Sequence, residues 1–204
     1  MPRVKIKRKS TVTDMTAMCD VAFLLLTFFI LTAKPKVPDP VELDVPASTV
    51  TIKQPEENIA TLVVGKGKVF FDITGAKVRE ATLEQMGQKY GNISFTPTEK
   101  TRYANMQAVG VPMNQMKQYL DLESDQREAF KQPGIPTDSV SNELFNWVRE
   151  ARLATRALNN ADLRISIKGD SKEEYPTIKK VIDILQKQEV NKFSLITSLR
   201  SAKK

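Results

Sequence analysis

The 204-residue chain is long enough for one ordinary domain and an additional segment. Its net charge of +7 starts with a basic cluster, Arg3, Lys5, Lys7, Arg8 and Lys9, but no aromatic–basic interleaving or reader motif accompanies it, so nucleic acid is not an expected partner. The chain has no histidine and one cysteine, Cys19, which excludes an internal disulfide, a zinc site of the usual ligand spacing and a histidine-based triad.

Residues 1–14 read as a short basic N-terminus. The run from Met15 to Ala33 is apolar and 19 residues long, and as a helix it covers about 28 Å, the hydrocarbon thickness of a bilayer. A cleaved signal peptide is the alternative. The run exceeds the roughly 7–15 apolar residues of a signal core, and Lys34-Pro35-Lys36 follows it instead of a small-residue cleavage site. The reading is therefore a retained transmembrane helix over 15–33. Five basic residues precede it and Lys34 and Lys36 closely follow it, which places the N-terminus in the cytoplasm and the remainder across the membrane, in a bacterium the periplasm.

Asp20 lies inside this span. An ionised acid deep in a bilayer costs about 2.5–3.5 kcal/mol on insertion scales, so it must face a partner helix, a basic group or a watery cavity. Thr16, Asp20 and Thr27 share one helical stripe, while Val21, Leu25, Phe28, Phe29 and Thr32 lie largely elsewhere. Removal from water favours the neutral form of a carboxyl group. Two readings of Asp20 follow: a proton carrier on a route driven by the membrane potential, or a structural hydrogen-bonding group between helices. Asp14, at the helix start, fits a helix-dipole role.

Residues 34–58 contain five prolines, which rule out a long helix and favour an extended tether. Within it, Val41-Glu42-Leu43-Asp44-Val45 alternates apolar and polar residues, the pattern of a strand able to pair along an edge; a plain spacer is the other reading. Residues 59–204 form the folded part. The segments IATLVV and KVFFDI flank Gly65-Lys66-Gly67 as a hairpin. The stretches VPMNQMKQYLDLESDQREAF and SNELFNWVREARLATRAL read as helices, the second with Ser141 as N-cap and with Phe145 and Trp147 on its buried face. Thr96-Pro97 and Gln132-Pro133-Gly134 read as loops. A strand in DLRISIKGD, a helix with Ile178, Val181, Ile182 and Leu185 on one face, and a strand in KFSLITSL complete a two-layer α/β domain. No Gly-rich phosphate loop and no catalytic constellation appears, so neither an enzyme nor a cofactor or metal site is expected.

The segment Thr16-Ala17-Met18-Cys19-Asp20-Val21-Ala22-Phe23-Leu24 resembles the span signature of the ExbD/TolR family at its threonine, acid and valine, with Ala17 where the family has proline. VELDVPAST is similar to the family's tether, and LRISIKGDSKEEYPTIKKVIDILQK followed by VNKFSLIT to its closing strand, helix and strand. The resemblance covers roughly 11–75 and 140–200; the stretch 76–138 has no counterpart and reads as a helical insertion. The resemblance implies a single-pass bacterial inner-membrane protein, one transmembrane helix plus a small periplasmic α/β domain. Its expected function is that of an ExbD-like subunit of a proton-driven motor that energises TonB-dependent outer-membrane transport. It implies a homodimer within an ExbB-like multi-span pentamer and a TonB-like partner. It assigns Asp20 as the proton-carrying carboxylate, Thr16 and Thr27 as polar neighbours on its path, and Val41, Leu43, Val45 and Pro46 as the tether's partner strand, with protons as the coupling ion. A Tol-system or gliding-motor subunit is the sibling reading. A membrane-anchored periplasmic binding domain, with peptidoglycan as a partner, is the alternative of a different class.

Overall fold

A computed structural model of the chain describes residues 15–33, 41, 43–48, 57–138 and 140–199. The basic cluster from Arg3 to Lys9, Asp14, Glu42 and the tether positions 34–40 and 49–56 lie outside the described residues. The chain divides into two units, Met1–Pro38 and Asp39–Lys204.

Among the described residues the first unit holds one helix, α1 (Met15–Thr32), of 18 residues. It has no proline or glycine to break it. It is long and apolar enough to cross a membrane, and none of its residues is buried within its own unit. Two of its polar side chains are satisfied within the helix. The Thr27 hydroxyl donates to the Leu24 carbonyl at 2.9 Å and the Thr32 hydroxyl to the Phe28 carbonyl at 2.8 Å.

The second unit is a mixed α/β domain. It runs β1 (Ala47–Ser48), β2 (Ile59–Gly65), β3 (Lys68–Ile73), α2 (Ala76–Lys89), α3 (Pro97–Asn105), α4 (Met113–Asp121), α5 (Ser124–Ala129), α6 (Glu143–Asn159), β4 (Arg164–Gly169), α7 (Tyr175–Gln186), β5 (Phe193–Ile196) and β6 (Ser198–Leu199). The main sheet has the order β3-β2-β4-β5, with β2 antiparallel to β3 and parallel to β4, and β4 parallel to β5. The predicted hairpin forms with a two-residue turn. Lys66 and Gly67 both take positive φ, 53° and 72°, the geometry that matches the twist of the flanking strands.

Strand alternation sorts the sheet's two faces. Ala60, Leu62 and Val64 of β2, Val69, Phe71 and Ile73 of β3, and Ile165 and Ile167 of β4 enter the main core with the helices. Trp147 of α6 is fully buried there, 6.2 Å from Phe71 and stacked at 6.0 Å on Tyr103. On α7, Val181 and Leu185 are buried while Ile178 and Ile182 pack at the margin, the helical stripe the sequence predicts. Residues 76–138 are built into the same core: Val78, Leu83 and Met86 of α2, Tyr103 of α3, and Met113, Met116 and Leu120 of α4 all belong to it.

Three local expectations change. Thr96-Pro97 is not a loop but the start of α3. Thr96 accepts from the Glu99 amide at 3.3 Å, Glu99 accepts from the Thr96 amide at 2.6 Å, and Pro97 occupies the first helical position, where its missing N–H costs nothing. The helix expected over 111–130 breaks at Leu122-Glu123 into α4 and α5, because Glu123 and Gln126 close a second capping box there. Ser141 is not the N-cap of α6; that position is Asn142 in a left-handed conformation, and Ser141 instead donates its hydroxyl to Asp138. That hydrogen bond holds the exposed Asp138 carboxyl below its usual range.

Glu143, in the first turn of α6, accepts from the Met113 amide at 3.0 Å and so satisfies the N-terminus of α4. Burial raises its carboxyl above the ordinary glutamate range; the Met113 hydrogen bond opposes the rise and Asp138 adds to it. A folded-state carboxyl that holds its proton more tightly than the unfolded one favours folding below the ordinary glutamate range, and that contribution is lost as pH rises through the raised value. Glu143→Gln should flatten this part of the stability–pH curve. Glu143→Ala should cost about 1–3 kcal/mol near pH 7 by leaving the Met113 amide unpaired. Urea unfolding of the detergent-solubilised chain, followed by the fluorescence of its one tryptophan, Trp147, measures both.

Candidate functional site

The candidate site in the first unit is the stripe of α1 that carries Asp20. Asp20 stands five residues into the helix, about 7–8 Å along its axis from Met15. Thr16 lies about one turn before it and Thr27 about two turns after it, near 10 Å away along the same stripe. Leu24 and Leu31 fall on that side as well, so the polar track is narrow and the carboxyl group is its one ionisable member. Because Thr27 donates its proton to the Leu24 carbonyl, what its oxygen presents outward is acceptor capacity. The stripe brings one carboxyl group and two hydroxyl groups to one side of the helix; it has no nucleophile–base pair and no ligand cluster. Among the described residues no group of three or more metal-ligating side chains occurs.

The tether residues belong to the second unit. Val41 and Leu43 are half-buried and pack on Val63, Phe70 and Ala108, the sheet face opposite the helices. Leu43 lies so close over the end of β2 that a methyl group added at Gly65 would run into its side chain. Val45 is half-buried and Pro46 exposed. Among the described residues of 41–45 no strand forms; Val41 and Leu43 are instead half-buried against a sheet face. Along this stretch the Asp44 carbonyl accepts from the Ser171 amide at 2.8 Å, and the first strand residues are Ala47 and Ser48. Their partner is the chain's own C-terminal strand, with Ala47 opposite Ser198 and Ser48 opposite Leu199 in parallel register.

Sequence reasoning missed the close Leu43–Gly65 contact, whose signal is a glycine ending an otherwise bulky strand. It also missed the cover on the outer edge of β3. There Phe71 and Val109 exchange two amide–carbonyl bonds of 2.9 Å, and the Ile135 amide donates to the Val69 carbonyl at 2.8 Å. An edge paired in this way offers no template for another strand. Arg79, buried and bound to Asp72 and to the Ile73 carbonyl, ties α2 to the end of β3, and desolvation lowers its affinity for the proton.

Among the described residues, one apolar helix of membrane-spanning length, carrying an acid, is followed by a mixed α/β domain. The family described as Biopolymer transport protein ExbD/TolR matches residues 7–200, nearly the whole chain, and the protein belongs to that family. No curated protein and no solved structure matches it. Membership supports a subunit of the energising type for biopolymer transport and implies partners of the ExbB/TolQ and TonB/TolA kinds. The apolar helix and the family together fit a single-pass inner-membrane protein. Members of this family are not known as enzymes.

If Leu43 packs on Gly65 as the structure has it, the two positions are coupled. Leu43→Ala should cost about 1–2 kcal/mol, below the ~2–5 kcal/mol of a fully buried leucine. Gly65→Ala should cost more in the wild type than in the Leu43→Ala background, since the clash is then gone. Trp147 fluorescence in urea reads all four corners of the cycle; additive effects would place Leu43 elsewhere.

Proposed function

We propose that the chain is an ExbD-like proton-carrying subunit of an inner-membrane motor driven by the proton-motive force, and that it energises TonB-dependent transport at the outer membrane. The observation that carries this reading is Asp20: an acid on a stripe of an apolar helix that buries no residue within its own unit, in a protein of the ExbD/TolR family. The insertion cost of an acid in lipid is met when that stripe faces an ExbB-like multi-span pentamer, with a second copy of α1 beside it. Protonated, Asp20 is neutral and compatible with an apolar wall; deprotonated, it seeks a polar or wet face. Each proton that crosses ~100 mV delivers about 2.3 kcal/mol, and alternation of the two forms is the step that converts it into helix movement. Thr16 and Thr27 provide hydroxyl groups one turn before and two turns after the carboxyl along the proton's path. The N-terminus is cytoplasmic and the α/β domain periplasmic in this arrangement, the coupling ion is H⁺, and the segment from Val41 through Pro46 is where a TonB-like protein engages.

Asp20→Asn should abolish energised transport while the protein still inserts and co-purifies with its multi-span partner; full transport by this variant would refute the proposal. Co-purification also separates the siblings, since a TolQ/TolA-type partner set would assign the chain to the Tol system.

A further inference from the structure

Helix α6 carries Arg149, Arg152 and Arg156 at spacings of three and four, which puts them along one face. They line one wall of a groove of about 630 Å³. The loops that lead into β4 and β5 form the rest, and Lys192 adds a fourth cation from there. Arg149, Arg156 and Lys192 are exposed, and among the described residues none of the three has a carboxylate within ion-pair distance. Arg152 is half-buried and fixed: its guanidinium donates to the Gln188 carbonyl at 2.9 Å, which leaves its remaining N–H groups for another acceptor. Three guanidinium groups over about 10 Å of helix are suited to several carboxylates in a row.

Two further features select among anions. The groove has an apolar component, with Leu163 and Val190 buried beneath it and Leu153 about half exposed at its wall. A free phosphate would leave Leu153 uncovered. The lining also includes Asp162 and Glu189, so the groove is mixed in sign, which suits neither a flat bilayer nor a uniform polyanion. We propose that this groove binds an acidic peptide segment of a partner protein, with carboxylates on Arg149, Arg152 and Arg156 and an apolar side chain over Leu153. The inference rests on the α/β domain alone and does not depend on a proton-carrying role for Asp20.

The test uses the full chain in phosphatidylcholine nanodiscs, titrated by calorimetry with a hexapeptide of alternating glutamate and leucine. Saturable binding is expected. It should weaken at least tenfold in an Arg149→Gln/Arg156→Gln double variant and for the glutamine–leucine counterpart of the peptide. A Lys179→Gln/Lys180→Gln variant removes the same charge from α7, outside the groove, and should stay within twofold of the wild type. The proposal is overturned if binding does not saturate, if the double variant binds like the wild type while keeping its unfolding midpoint, or if the two double variants lose affinity equally. It is also overturned if inorganic phosphate or phosphatidylglycerol vesicles displace the peptide at equal charge concentration, since these outcomes mean a free anion or a lipid surface instead.

Discussion

A carboxylate on an apolar helix that buries no residue within its own unit has to be matched by a polar group, a basic group or water. α1 is apolar along its whole length and buries no residue in its own unit, yet it carries Asp20 more than one turn from its start. In lipid no water is present to solvate the acid. On the proposed reading, the acid makes this helix an assembly element. Everything proposed about energy conversion follows from that mismatch between a polar group and its apolar surroundings.

The second unit is organised around a strand that is buried on both faces. β2 presents Ala60, Leu62 and Val64 to the helices and Val63 to the segment that carries Val41 and Leu43. A strand of this kind reads as continuously apolar, and it needs two covering layers. α2, α4 and α6 supply the first. The tether supplies part of the second, pinned at its far end by β1 against β6. The described parts of the tether differ in kind: Val41 and Leu43 pack by side chains on a sheet face, and Ala47–Ser48 pair by backbone with β6.

The elements legible in the sequence were those with strong local signals. The β2–β3 hairpin has two apolar runs around a turn that positive φ can close, and α7 has four aliphatic residues at helical spacing. What failed was local too, but ambiguous. Thr96-Pro97 marks a loop and a helix start with equal force, and the decision lies in Glu99, three residues on, whose carboxylate returns to the cap. Ser141 is as good an N-cap residue as Asn142, yet its hydroxyl is taken by Asp138. The alternation at 41–45 fits a strand and fits a segment lying on a sheet, because both expose every second residue.

The sequence by itself determined that an apolar helix of membrane-spanning length carries one acid on a stripe with two threonines, since span length, period and charge are all local quantities. It also determined the β2–β3 hairpin and the succession β4, α7, β5; the strand read in KFSLITSL divides into β5 and β6. Only the tertiary structure decided that residues 76–138 share the main core, that the outer edge of β3 is closed by Val109 and Ile135, and that arginines of α6 meet Lys192 around one groove. Those outcomes depend on contacts between residues tens of positions apart, and no periodicity within a single segment records which distant face will cover it.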